Sequence, residues 1–492
     1  MSGAEHVLKS CGNGPVHRRD GSAGGIRRLR RRLPGAGLAA LLGALAAGGP
    51  ASAQTLTAAF AEAYRTNPQL LAQRALLRAT DELVPQALAT WRPTVTFTGQ
   101  TGFTRSAAAQ PHTPTSYAST TPFSLDLTLT QPVYRGGRTA AQTRQAINTV
   151  EAARAQTLAV ETTVFQAVAQ AYLDVVRDQT LVLVQRNNEY VLGREFEATR
   201  IRAQIGELTG TDVAQAQAAY AQATATRITA EGQLEVSRAN YARAVGHPPG
   251  RLTLPRERPA LPATREDALR LAAGNNFNVI SAAFTELAAR DNIDVVRGQL
   301  LPQVSIAGDL NRASSATSSA ANTGAAGSPT NLASIMGTAT APLYEGGALY
   351  SQTRQAEQTV GQRRSQVDDA RRAAVQTADQ SWAVLQAARA SIASFAAAVR
   401  AAQIALAGLQ EEALTGTRTV LDVLIAEQQL FTTQSQLVTA EHDAAVAEFN
   451  VAAAVGRLIA PELKLPVPLY DMGRHYKEVR DKWIGFSGGL KE

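Results

Sequence analysis

Two aspartates occupy the same place in two copies of one pattern. Asp212-Val213 follows the break Gly206-Glu207-Leu208-Thr209-Gly210-Thr211, and Asp422-Val423 follows Thr415-Gly416-Thr417-Arg418-Thr419. A carboxylate in the first turn of a helix accepts from orphan backbone N–H groups and complements the helix dipole. With Arg418 four residues before Asp422, it can also enter ion pairs. The chemistry on offer is electrostatic. Covalent and metal chemistry find no carrier: His112, His247, His442 and His475 share no metal-ligand spacing, and Cys11 is the only cysteine. No Gly-rich phosphate loop or nucleophile motif occurs. The expectation is a protein that is not an enzyme and uses no cofactor or metal.

The copies extend far beyond the aspartates. Residues 131–156 read QPVYRGGRTAAQTRQAINTVEAARAQ, and residues 341–366 read APLYEGGALYSQTRQAEQTVGQRRSQ, 210 positions on. Gln170 answers Gln380, and Ala244-Val245-Gly246 answers Ala454-Val455-Gly456. Upstream the offset is 209, with Asn67 matching Asn276 and Pro93 matching Pro302. A period this long exceeds the roughly 20–50 residues of a solenoid unit. It marks duplication of a half-protein, with a first repeat at 54–246, a linker at 247–263 and a second repeat at 264–456.

The N-terminus distorts the charge. Arg27, Arg28, Arg30, Arg31 and Arg32 precede an apolar run from Gly37 to Ala47, and Ala51-Ser52-Ala53 supplies small residues for cleavage. This reads as a signal peptide over 1–53, with Gln54 as the first mature residue. The apolar run falls short of the ~20 residues that span a bilayer. Leu8-Lys9-Ser10-Cys11 resembles a lipidation box only faintly, since no hydrophobic region precedes it. Residues 1–53 hold eight of the 48 Lys and Arg and two of the 41 Asp and Glu, so 40 basic residues face 39 acidic ones in the rest. The net +7 is therefore no argument for nucleic acid.

Each repeat presents one order of elements: helix, strand, loop, strand, very long helix, break, return helix. A helix is expected from Leu56 to about Thr90, ended by Arg92-Pro93, and another from Arg265 to Leu300, ended by Leu301-Pro302. Strands are expected at about 94–104, 123–133, 303–312 and 332–343. In the second of these Phe123, Leu125, Leu127 and Leu129 alternate with Ser124, Asp126, Thr128 and Thr130. Residues 313–330 have loop composition and are expected to be mobile. Pro132, Gly136 and Gly137, and likewise Pro342, Gly346 and Gly347, mark strand-to-helix junctions, because proline removes a ladder donor and glycine permits unusual φ. The long helices, Thr139 to Ile205 and Leu349 to Leu414, would each reach roughly 100 Å at 1.5 Å per residue. Helical hairpins are expected at 137–246 and 347–456. No later segment reaches 18 uninterrupted apolar residues.

Ten-residue segments with one apolar face suit either a transmembrane β-barrel or a soluble sheet packed on helices. Four strands cannot close a barrel, because the smallest have about eight, and lipid forbids open edges. The barrel reading therefore requires a homo-oligomer: two copies give eight strands, three give twelve.

The duplicated plan, the QPVYRGG and APLYEGG junctions and the tips GELTGTDVAQAQA and GTRTVLDVLIAEQQ resemble the TolC family of outer-membrane channel proteins. The resemblance covers about 56 to 486. It implies a mainly α fold with a transmembrane β part, in which three chains complete a twelve-stranded barrel continued by a coiled-coil tunnel through the periplasm. It also implies a periplasmic adaptor, an inner-membrane ABC transporter or other pump, and outer-membrane lipid as partners. The C-terminal segment 457–492, with Tyr470-Asp471-Met472-Gly473-Arg474-His475-Tyr476 and Asp481-Lys482-Trp483-Ile484-Gly485, resembles the type I secretion branch and would pack around the tunnel's equator. Drug efflux, a structural coiled-coil scaffold and a soluble adaptor remain as alternatives.

By the same resemblance Asp422 rings the periplasmic constriction, and Arg418, Thr211 and Asp212 link neighbouring coils to hold it closed. Two positions depart from the family pattern: Ile425 stands where a second carboxylate is usual, and Ala413 where a tyrosine is common. One acidic ring followed by an apolar one implies a weaker cation block and an easier opening. Gly206, Gly210, Gly416 and Thr417 lie in the turns expected to meet the adaptor.

Overall fold

The computed structural model describes residues 54–486 except 110, 113, 114, 256, 320 and 321; the expected signal peptide and the last six residues lie outside the described residues. The first repeat runs α1 (Leu56–Thr66), α2 (Pro68–Asp81), α3 (Leu83–Ala89), β1 (Thr94–Thr101), β2 (Thr104–Ala108), β3 (Ser116–Arg135), α4 (Arg138–Gln204) and α5 (Gly210–Val245). The second runs α6 (Arg265–Asn275), α7 (Phe277–Arg297), β4 (Gln303–Ser319), β5 (Asn322–Ala326), β6 (Thr330–Thr340), α8 (Ala348–Leu414) and α9 (Val420–Ala454), followed by α10 (Arg474–Val479).

The helix expected from Leu56 to Thr90 is three helices, and its counterpart is two. Asn67 breaks the first: its side chain accepts from Gln69 N at 3.0 Å and Leu70 N at 3.4 Å, and Pro68 occupies the first turn of the new helix. Asn276 does the same by accepting from Asn278 N at 3.0 Å. Each asparagine also donates through Nδ2 to the end of a return helix, Asn67 to Ala244 O and Asn276 to Ala454 O, both at 3.1 Å. One side chain thus satisfies orphan groups on two helix termini. This geometry explains why the Asn and Ala-Val-Gly positions recur together.

The sheet is four strands wide. β1 and β2, separated at Gly102-Phe103, both pair with β3; β3 pairs with β4; β4 pairs with β5 and β6, all antiparallel. Strands run further than their apolar alternation indicates. β3 has 20 residues and β4 has 17, so the loop expected at 313–330 is largely ladder among the described residues. Its Ser/Ala/Thr composition carries no alternation, and cross-strand backbone bonds set the conformation instead. A transmembrane strand needs about 9–11 residues, so the outer end of β3 projects beyond that length.

Register assigns the two faces. Phe97, Leu127, Leu310 and Ala333 stand side by side, as do Val95, Leu129, Gly308 and Ile335. Along β3 the apolar Phe123, Leu127 and Leu129 are exposed, whereas Ser124, Asp126, Thr128 and Thr130 are half-buried. A water-soluble sheet shelters its apolar face, and this one shelters its polar face. On the polar side Thr128 donates to Asp309 at 2.7 Å, and Asn311 bonds Asp126.

The principal core lies where helices, linker and C-terminal segment meet. Phe60 of α1, Phe165, Val168 and Tyr172 of α4, Tyr241 of α5 and Phe449 of α9 pack with Leu252 of the linker and Leu458, Ala460 and Leu465 beyond α9. The single Tyr172 O–H is shared between Gln54 O at 2.9 Å and Thr253 O at 2.7 Å, fixing the first described residue to the linker. Glu161 is buried and accepts from Ala460 N at 2.7 Å; burial pushes its pKa up. The C-terminal segment then runs along the first repeat, with Tyr470 N donating to Tyr64 OH at 2.9 Å and His475 Nδ1 lying 3.2 Å from Asp81.

Candidate gate at the helical tips

Both long helices end in the same turn. At the first, Gly206 adopts φ 85°, Gly206 N donates to Ala203 O at 3.1 Å, and Glu207 N to Arg202 O at 3.0 Å. At the second, Gly416 adopts φ 78°, Gly416 N donates to Ala413 O at 3.2 Å, and Thr417 N to Glu412 O at 3.0 Å. These paired bonds and a left-handed glycine form a Schellman stop. Three residues later a threonine caps the return helix. Asp212 N donates to Thr209 Oγ1 at 3.3 Å while Thr209 N donates to the Asp212 carboxylate at 2.9 Å. Thr419 and Asp422 repeat this at 3.3 and 3.0 Å. These are capping boxes in which aspartate serves at N3.

The boxes determine the charge state. Asp422 is held below the usual carboxylate range by the Thr419 backbone N–H, then by the Thr419 hydroxyl and the Arg418 charge. Asp212 is lowered by the Thr209 hydroxyl and then its backbone N–H. Capping engages Oδ2 in each residue.

The tips of one chain pack side by side. Val420 and Leu424 of α9 meet Leu192 of α4 and Ala216 and Ala223 of α5, with Phe196 and Leu208 at the margin. Gly210 opens α5, and the Thr417 hydroxyl donates to Glu412 O at 2.8 Å. Ile425 is 58% exposed, three residues after Asp422 and so on the same side of α9. Arg418 pairs with Glu412 of its own hairpin at 3.0 Å. Among the described residues of one chain, no ion pair joins Arg418 to Asp212, and Thr211 is exposed.

Glu427 was not anticipated from the sequence. It lies five residues past Asp422 on the opposite side of α9, is 5% exposed, and its Oε2 has no hydrogen-bond partner. Burial, with Glu195 of α4 facing it, pushes its pKa up to about 7, although Gln410 of α8 bonds it. Its place in the apolar stripe beside Val420, Val423 and Leu424 was the available signal.

The strand–helix junctions are alike in backbone and unlike in surroundings. Gly136 and Gly137 have φ of 62° and 73°, Gly346 and Gly347 of 62° and 81°. Pro132 lies at a register shift inside β3, whereas Pro342 falls after β6. A Cβ on Gly136 would come within 2.2 Å of Gly298 O, and a Cβ on Gly298 within 2.4 Å of Arg138 Cγ. Gly346 has nothing within 4 Å.

The pattern of the family described as "Outer membrane efflux protein" matches residues 60–247 and 268–457, one block per repeat. The chain belongs to this family. It is 33% identical over 453 residues to the outer membrane efflux protein BepC of Brucella suis, covering 90% of this chain and 94% of that one. To the outer membrane protein TolC of Vibrio cholerae it is 26% identical over 411 residues, covering 82% and 91%. A more distant relative, the alkaline protease secretion protein AprF of Pseudomonas aeruginosa, is 24% identical over 320 residues, 64% and 66% of the two chains. The fold matches the Campylobacter jejuni CmeC outer membrane channel with TM-score 0.70 at 15% identity, covering 92% and 98%. The protein is thus a TolC-like efflux channel of the outer membrane, with a helical tunnel part joined to a β part, and not an enzyme.

Proposed function

We propose that three copies close into one passive duct, which carries substrates from an inner-membrane pump and periplasmic adaptor to the exterior. The observation that carries this reading is the unequal cover of two equal helices. α4 and α8 each have 67 residues, yet α4 buries 23 of them and α8 only six. α8 even contains one window apolar enough to cross a membrane, with mean hydropathy 1.6. That window includes polar interruptions, and a neighbouring coil is the natural cover. Open edges on β1 and β6 call for the same neighbour, since unpaired backbone is costly in lipid.

Quasi-equivalence supports the arrangement. Within the chain Arg138 passes over Gly298. One repeat away the corresponding residues are Ala348 and Ala89, so the large–small pair is replaced by two small residues. That pair suits a contact between chains.

In the duct, Asp422 forms the acidic ring at the tunnel entrance, backed by the apolar ring of Ile425. Arg418, Thr211 and Asp212 link neighbouring chains in the closed state, and each Arg418 exchanges Glu412 for that neighbour. An exposed pair of this kind contributes about 0–1 kcal/mol, so a partner engaging several tips could reverse the bias. The turns with Gly206, Gly210, Gly416 and Thr417 present the surface for the adaptor.

The finer assignment is to type I protein secretion, supported by the C-terminal segment and by the likeness to AprF. Likeness to BepC favours drug efflux as the second reading. Deleting the gene and comparing secreted proteins with small-molecule susceptibility decides between them. Loss of an exported protein with unchanged susceptibility supports secretion, and the converse supports efflux.

A further inference from the structure

The C-terminal segment ends beside the root of the sheet. Arg92, two residues before β1, donates through Nη1 to Lys482 O at 2.6 Å, and its guanidinium lies 4.8 Å from the Trp483 ring centroid. Beyond this clamp Trp483 is 66% exposed, and Ile484 and Phe486 are fully open. Trp91, on the other side of Arg92, is half-exposed. Three aromatic side chains and an isoleucine therefore stand uncovered around one arginine.

Their position on the sheet identifies what they meet. The Trp91 carbonyl accepts from Gln131 Nε2 at 3.0 Å. Gln131 stands opposite Ile306, on the apolar face that carries Leu129 and Leu310. This places the Trp91 backbone on the membrane-facing side. Val95, the first apolar-face residue of β1, follows Arg92 by three positions, which is about 10 Å of strand. Strands tilt by about 35–45° in such barrels, so the axial distance is shorter. The headgroup layer outside the hydrocarbon is roughly 5–7 Å thick. The cluster thus continues the apolar band at the level where headgroups begin, and Trp is enriched there because its ring is apolar while its N–H stays hydrated.

We propose that Trp483–Phe486 is a lipid contact outside the barrel itself: the segment lies in the headgroup layer of the periplasmic leaflet, with Arg92 clamping it to the root of β1. The C-terminal segment would then tie the helical core to the membrane surface as well as to the first repeat.

The chain has three tryptophans, Trp91, Trp382 and Trp483. The test uses the full-length protein reconstituted in phosphatidylethanolamine/phosphatidylglycerol vesicles containing lipid brominated near the top of the acyl chain. Trp91→Phe with Trp382→Phe leaves Trp483 as the sole emitter, while Trp91→Phe with Trp483→Phe leaves Trp382 in α8 as reference. The expected result is roughly twofold quenching of Trp483 and almost none of Trp382, as for an interfacial ring against one remote from lipid. Trp483 emission as insensitive to brominated lipid as that of Trp382 overturns the proposal. Ile484→Cys carrying an environment-sensitive dye, in a background with Cys11→Ser, repeats the measurement with all three tryptophans intact.

Discussion

Asp422 and Glu427 lie five residues apart and differ in everything that governs a carboxyl. Asp422 is capped, only partly covered and held ionised, so the proposed entrance ring keeps its charge down to acidic pH. Replacing Asp422 with Asn should lower cation selectivity in planar-bilayer conductance at neutral pH; unchanged selectivity would remove Asp422 from the gate. Glu427 behaves oppositely. Its folded pKa of about 7 lies above the 4.5 of an open chain, so the folded protein binds the extra proton between those values. Stability therefore falls as pH rises from about 4.5 to 7 and is flat above, a loss on the order of 3 kcal/mol. Glu427→Gln should abolish that slope and raise the melting temperature at pH 8 while changing it little at pH 4.5. A wild-type melting curve that improves with pH across this window contradicts the assignment. The sequence offered only a glutamate in an apolar stripe, which becomes informative once Glu195 and Gln410 are known to face it.

At the scale of elements, the long helices were legible between their Gly-Gly junctions and Gly/Thr breaks, because neither contains proline and α4 has a single internal glycine, Gly193, against the Tyr220 ring. Periodicity merged α1, α2 and α3, since an Asn-Pro step inside an apolar stripe looks like a continuing helix until the Asn67 side chain is seen capping. The strands were under-read at their outer ends, where alternation stops but backbone pairing continues. Asn67 and Asn276 carry a prediction of their own. Each joins an N-cap to the end of a return helix, so Asn67→Ala and Asn276→Ala should each cost about 1–2 kcal/mol. Denaturant midpoints of the single and double variants check this. Additive losses are expected, because the two sites lie in different repeats.

At the scale of the molecule, duplication leaves a half-finished surface, and the unequal burial of α4 and α8 shows where. The proposed junction between chains makes a reciprocal prediction. Ala348→Arg should place a long side chain against Ala89 and reduce trimer recovery in detergent, read by the mass of the solubilised complex. Adding Ala89→Gly recreates the Arg–Gly pair already present at Arg138 and Gly298, and should restore assembly. Failure of that rescue, with the single variant folded as a monomer, refutes this contact. The sequence showed that four strands cannot close. It could not show which helix lacks a neighbour, because the two helices have similar composition and only packing separates them.

In the proposed duct the two 67-residue helices would act as matched struts. Equal columns end on a level rim, so a partner pressing on the tips loads every column together. Seven residues removed from α4, with seven from α5, would leave a notch in that rim. Seven removed from every limb of both hairpins would keep it level and shorten the reach by about 10 Å. Length in this protein is set twice, and evolution can change it only by altering both copies in step.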